Sequence, residues 1–166
     1  IGPFSEVNNC NSGDNLSIVC GLEKSPEDIV ITPDNKYLII SGFGGIAPLH
    51  ESNDPRGGEG SLFLMDAYTK TKSSLNIRYE ENVWGDGVCD RDSESSFNPH
   101  GIDLVKRDDG KYQLVVVNHL PFETIEMFEL LKTDIKSSDE EIVPIWELVW
   151  RGCVSVPEEY YLNDVS

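Results

Sequence analysis

Basic residues are scarce in this chain. Thirteen Lys and Arg stand against 30 Asp and Glu in 166 residues, a formal charge of −17. So acidic a chain repels phosphate backbones and anionic membrane surfaces, which removes nucleic acid from the expected partners. Long apolar runs are missing too, and none approaches the roughly 18 residues of a bilayer-spanning helix. The four cysteines, Cys10, Cys20, Cys89 and Cys153, show no CxxC spacing and no histidine placed to complete a zinc site, which leaves disulfides as their reading. No basic or apolar leader precedes Ile1, so a signal peptide is expected to have been removed. Histidines number only three, His50, His100 and His119, and proton chemistry near neutral pH has few other carriers.

What is present points to a secreted, strand-rich protein. Disulfide-forming cysteines together with the sequon Asn15-Leu16-Ser17 suit an extracellular glycoprotein with a glycan on Asn15. The surplus acidity has solubility as its simplest meaning; its specific meaning would be hard cations, whose ligands are carboxylates. Residues 1–24 are polar and rich in Asn, Gly and Ser, an arm rather than a core element. Residues 25–166 carry the strands.

Two β-branched runs, Pro26–Thr32 and Tyr37–Gly42, flank the turn Pro33-Asp34-Asn35-Lys36 and predict a hairpin whose continuously apolar strands are covered on both faces. A loop over 43–60, with seven glycines and prolines, follows. Ser61–Asp66 reads as a third strand and Ser74–Tyr79 as a fourth, its polar alternation suited to an outer edge. After an acidic insertion over 80–95 the pattern returns: an apolar hairpin of Gly101–Val105 and Tyr112–Val117 closed by Asp108-Asp109-Gly110, then strands at Thr124–Leu130 and Glu141–Trp150. A third copy begins at Tyr161-Leu162-Asn163-Asp164-Val165, expected as the first strand of a further unit.

The copies share a frame. Pro26-Glu27-Asp28-Ile29 lies over Pro99-His100-Gly101-Ile102 and Leu162-Asn163-Asp164-Val165. Four-stranded units recurring about every 65 to 75 residues suggest the blades of a β-propeller, whose inner strands line a central channel. A β-sandwich of equal strand count competes, but it gives no reason for polar groups to recur at one register. In a propeller Glu27, His100 and Asn163 converge on the axis. Successive strand side chains point opposite ways, so Asp28 and Asp164 converge on a second point. Two cation sites follow. Either acidic pair alone would otherwise serve to solvate a turn, and either histidine alone would read as structural. His50, in the loop over 43–60, is read as a surface residue. A propeller needs at least four blades and calcium six to eight oxygens, so a second polypeptide is expected to complete both the ring and the ligand set.

At this point the residues resemble a known family, the calcium-dependent arylesterases and lactonases called paraoxonases, which are six-bladed propellers. The likeness runs from Asn9-Cys10-Asn11 through Glu27-Asp28, Phe97-Asn98-Pro99-His100-Gly101-Ile102 and Val116-Val117-Asn118-His119 to Asn163-Asp164, with the spacing from His100 to His119 kept. It implies that this chain supplies about the N-terminal half of the ring. It further implies that Glu27 and Asn163 are ligands of a catalytic calcium, that Asp28, Asp164 and the carbonyl of Ile102 belong to a structural calcium site, and that His100 is a general base partnered by His119. By the same resemblance Cys10 bridges to a cysteine near the far C-terminus, hence to the missing chain. The implied activity is hydrolysis of lactones or aryl esters, with calcium polarising the carbonyl and the histidine pair activating water. A non-hydrolytic propeller enzyme catalysing cyclisation or condensation, or a calcium-stabilised binding module, are the alternatives. One departure is the rim, where the family carries a lysine and a tyrosine near the substrate and this chain has Gly44-Gly45.

Overall fold

The computed structural model describes residues 22, 24–45, 58–136, 142–157 and 159–166. Cys10, Asn15, Cys20 and His50 lie outside them, so the expected bridge, glycan and surface histidine do too. Within the described residues the fold is all-β and contains no helix. Its strands are β1 (Ser25–Ile31), β2 (Tyr37–Phe43), β3 (Ser61–Asp66), β4 (Lys72–Ser74), β5 (Asn76–Tyr79), β6 (Pro99–Lys106), β7 (Tyr112–Asn118), β8 (Thr124–Lys136) and β9 (Ile142–Ser155). They form two sheets, in the orders β1-β2-β3-β4 and β5-β9-β8-β7-β6.

Local chemistry sets the hairpins. In the β1–β2 turn the Thr32 N–H donates to Tyr37 O at 2.9 Å and the Thr32 hydroxyl to Asp34 Oδ1 at 2.8 Å. Asn35 takes a φ of 57° there, a left-handed conformation that Asn tolerates better than most residues. The β6–β7 turn uses Gly110 at φ 86°, its N–H bonded to Arg107 O at 3.0 Å.

The alternation of apolar residues then decides the packing. Along β2 and β3, Ile39, Leu62 and Leu64 face the second sheet and join Leu114, Val116, Phe128, Leu148 and Trp150 in one shared core. Their neighbours Ile40, Phe63 and Met65 form a smaller cluster on the opposite face. Each side chain buried this way contributes about 1.5–3 kcal/mol relative to exposure. On β1, by contrast, Ile29 and Ile31 are half exposed, so the expectation that this strand is covered on both faces does not hold within the described residues.

Two further expectations need correction. The single strand expected over Ser74–Tyr79 is two: β4 ends at Ser74 on the first sheet, and β5 crosses to the outer edge of the second, pairing in parallel with Glu147–Trp150. Leu75 drives the break, because it turns inward between the sheets and is buried in their shared core. The polar alternation did mark an edge, but of the neighbouring sheet, and the second unit therefore has five strands. The other correction is at Tyr161–Val165, which forms no strand. The one backbone bond that segment makes to β6 runs from the Gly101 N–H to Asn163 O at 3.1 Å, and a single bond is no ladder.

The insertion over 80–95 is tied down rather than loose. Cys89 and Cys153 form a disulfide that spans 64 residues of sequence, a pairing the spacing alone left open. Val83 and Trp84 donate their N–H groups to Arg151 O, and Asp86 donates its own to Cys153 O. Gly85 makes this approach possible, since a Cβ there would sit 2.2 Å from Cys153 O.

Candidate active site

The site grows out of two matching irregularities. β1 slips register against β2 between Pro26 and Asp28, and β6 slips against β7 between Pro99 and Ile102, the same places that the sequence frame laid over one another. A bulge leaves residues unpaired and re-aims their side chains. Here it frees Glu27 on the edge strand β1 and His100 with Gly101 on the edge strand β6. The freed amides find other partners: Asp28 N–H donates to Ser41 Oγ at 3.0 Å, Gly101 N–H to Asn163 O, and Ile102 N–H to Asp28 Oδ2 at 2.8 Å. The last bond ties the two sheets together at the site.

Gly101 is what lets the C-terminal segment lie against β6. A Cβ there would meet Asp164 Cα and Oδ1 at 2.5 Å and Asn163 O at 2.7 Å. With no side chain in the way, Asn163 and Asp164 close over a cleft of about 140 Å³ lined also by Glu27, Asp28, His100 and Gly101. Glu27 and Asp28 face different neighbours within it: Glu27 Oε2 lies 3.6 Å from His100 Nε2, while Asp28 turns to the Ile102 amide. Ile102 thus joins the site through its N–H.

His100 and His119 are brought together as the sequence anticipates, with His100 Nδ1 3.0 Å from His119 Nε2. Phe43 stacks on His100 at 4.5 Å, and Tyr161 stacks on His119 at 4.1 Å, each nearly parallel. These rings fix both imidazole planes. His119 is fully buried, and that burial pushes its pKa below the ordinary 6.5, assisted by the nearby His100 and opposed by the Glu123 carboxylate. The Tyr161 phenol is pushed up to about 12, chiefly by burial and then by the carboxylates of Glu123 and Glu27. Three acidic side chains, Glu27, Asp28 and Asp164, line the cleft, which suits a cation.

Several residues that position the site escaped the sequence reading. Glu123 Oε1 and Oε2 lie 2.8 and 3.0 Å from His119 Nδ1, across a turn whose Leu120–Pro121 peptide is cis. An acid four residues after a histidine was the available signal, but a strand-end turn rather than a helix brings the two together. Beneath them Glu126, almost fully buried, accepts from Arg91 Nη1 at 3.1 Å, Trp150 Nε1 at 2.7 Å and Thr124 Oγ1 at 2.7 Å. Asn98 and Asn118 lock the two strand ends: Asn118 Oδ1 accepts from the Asn98 N–H at 2.9 Å, and His119 N–H donates to Asn98 O at 3.1 Å. A larger cavity of about 430 Å³ lies behind Glu123 and Glu126, below the Cys89–Cys153 bridge. It is lined by no histidine, and the proton-bearing groups converge on the smaller cleft instead.

The donors around that cleft are carboxylate and amide oxygens, the kind a hard cation such as calcium takes. They fit in kind and fall short in number. Among the described residues no three His, Cys, Asp or Glu side chains come close enough to hold a metal by themselves.

Residues 6–138 match the protein family described as arylesterase. Serum paraoxonase/arylesterase 1 of Homo sapiens is 32% identical over 94% of this chain and 40% of its own length. Serum paraoxonase/arylesterase 2 of Rattus norvegicus is 30% identical over 78% of this chain and 35% of its own, and serum paraoxonase/lactonase 3 of Oryctolagus cuniculus 34% identical over 69% and 29%. The chain thus spans 40% or less of the length of these three relatives.

Proposed function

The chain belongs to the arylesterase family, that of the paraoxonases, and on that premise we propose that it forms part of a calcium-dependent hydrolase of lactones or aryl esters. The observation that carries this reading is the His100–His119 pair at 3.0 Å, with His100 Nε2 turned toward a cleft lined by Glu27, Asp28, Asn163 and Asp164. A base beside an oxygen-rich cation cradle is what water attack on a carbonyl requires.

In this reading Glu27 and Asn163 hold a catalytic calcium, and Asp28, Asp164 and the Ile102 carbonyl a structural one. A calcium ion there supplies polarisation of the substrate carbonyl and stabilisation of developing oxyanion charge. His100 Nε2 takes the proton of the attacking water, and His119 orients the ring of His100 through Nε2. Phe43 and Tyr161 keep both rings in plane, and the Asn98–Asn118 lock keeps the strand ends in register. A pure binding module has no use for a buried histidine pair aimed at such a cleft, which favours the hydrolytic reading over that alternative.

The remaining blades of a six-bladed ring, and the missing calcium ligands, come from the part of the family's length that lies beyond this chain. The half-exposed Ile29 and Ile31 on β1 support further covering of that face. Secretion, a glycan on Asn15 and a bridge from Cys10 to the completing part belong to the same proposal. Intact mass before and after reduction shows whether that part is a separate chain.

The test of the activity uses the full-length protein and a panel of lactones and aryl esters, with and without a chelator. Chelator-sensitive hydrolysis that His100→Asn lowers by about 10²–10⁴-fold, calcium remaining bound, is the expected result. Hydrolysis unchanged in His100→Asn would refute the base, and no hydrolysis of any substrate would favour a cyclising or condensing enzyme or a calcium-stabilised binding module.

A further inference from the structure

We propose that Glu123 sets the direction of the histidine pair, fixing the tautomers of both rings so that the lone pair of His100 Nε2 faces the cleft. This rests on the proposed base role of His100 and adds a positioning residue to it.

An ionised carboxylate only accepts hydrogen bonds, so His119 Nδ1, 2.8 and 3.0 Å from the two Glu123 oxygens, must carry the hydrogen. His119 is fully buried and held toward its neutral form, and a neutral imidazole with hydrogen on Nδ1 bears its lone pair on Nε2. That Nε2 is 3.0 Å from His100 Nδ1, which must then be the donor. His100 is left with its lone pair on Nε2, the nitrogen that faces the cleft and Glu27. Reverse the first bond and every later one reverses, ending with a hydrogen where the base needs a lone pair.

Glu123 also reaches the other wall of the cleft. Leu162 N–H lies 3.4 Å from Glu123 Oε2, one residue before Asn163. The same buried carboxylate therefore aligns the proton path and tethers the segment that brings Asn163 and Asp164. In the reaction, one proton passes from water to His100 Nε2 as the water oxygen bonds the carbonyl carbon and the C=O π pair moves onto oxygen; when that pair returns, the C–O bond to the leaving alkoxide breaks and the alkoxide takes the proton from His100. The positive charge left on His100 is steadied through His119 by the Glu123 carboxylate.

Nitrogen-15 NMR of imidazole-labelled full-length protein reads which ring nitrogens carry hydrogen. Wild type is expected to show Nδ1–H on both His100 and His119. In Glu123→Gln, whose amide can donate to His119 Nδ1, both are expected to switch to Nε2–H. Lactone or aryl-ester kcat should fall on the order of 10²-fold with KM nearly unchanged. Glu123→Asp, which keeps the acceptor, should retain the wild-type tautomers. An Nε2–H on His119 in wild type overturns the proposal without any variant, as do unchanged tautomers in Glu123→Gln. Failure of the base role would appear separately, as unimpaired hydrolysis by His100→Asn alongside the expected tautomers.

Discussion

Replacing Gly101 with alanine should damage the cleft while leaving the sheets intact. The new Cβ would lie 2.5 Å from Asp164 Cα and 2.7 Å from Asn163 O, all backbone-anchored positions that cannot swing aside like a side-chain tip. Ordinary contact distances require the C-terminal segment to withdraw by roughly 1 Å, and that breaks the Gly101 N–H to Asn163 O bond of 3.1 Å. The bond itself is worth about 1 kcal/mol, a small part of the stability of a domain. Misplacing site groups by about 1 Å, however, can cost on the order of 10²-fold in rate. Gly101→Ala in the full-length protein should therefore bind calcium more weakly and hydrolyse its best lactone or aryl ester about 10²-fold more slowly, with Tm shifted by only a few degrees. Calorimetric calcium titration, steady-state kinetics and thermal unfolding measure the three effects. Wild-type calcium affinity and rate in this variant would refute the placement of Asn163 and Asp164 against β6.

The Cys89–Cys153 bridge closes 64 residues of sequence, so the chain-entropy relation gives about 4 kcal/mol for its loss. The double Cys→Ser variant should show a urea midpoint lower by the corresponding amount, and an unchanged midpoint would mean the insertion over 80–95 is held by its hydrogen bonds alone. His119 gives a pH dependence with a definite sign. Its native pKa is depressed below 6.5, so the unfolded chain takes up a proton first as pH falls, and the stabilisation present above 6.5 is lost progressively below it. Its neighbours His100, Glu123 and Tyr161 face the same ring, whereas Asp86, held below its ordinary 3.8 chiefly by the Ser155 N–H, titrates under this window. Unfolding free energies from urea titrations at pH 7.5 and 5.5 should differ by up to about 1.4 kcal/mol per pH unit below 6.5 for this proton, and His119→Asn should remove that part.

The hairpins were legible because their causes are local. Alternation of apolar residues reports which face is buried, and the Asp34-Asn35 and Asp109-Gly110 turns report where the chain reverses. The frame that lays Pro26–Ile29 over Pro99–Ile102 identified equivalent strand starts, and the structure adds that a bulge sits at each of the two. The His100 and His119 pairing was legible for the same reason: each sits at the end of a strand of one hairpin, and the turn between them fixes their register.

What the chain alone left open depends on contacts between distant residues. The polar pattern of Asn76–Tyr79 marks an edge strand but carries no information about which sheet it edges; the burial of Leu75 between two sheets decides that. Cysteine positions permit several pairings, and only the approach of Gly85 to Cys153 selects Cys89. Glu123 is one acid among many by sequence, and it matters because a turn sets its carboxylate against the only nitrogen of His119 not already facing His100. The sequence by itself determined the two hairpins, the strands that follow them and the chemical types at the cleft, all properties of neighbours along the chain; the tertiary structure alone decided where Ser74–Tyr79 divides, that Tyr161–Val165 adds no strand, which donors meet and which nitrogen faces the cavity, because convergence in space is set by sheet packing and not by local pattern.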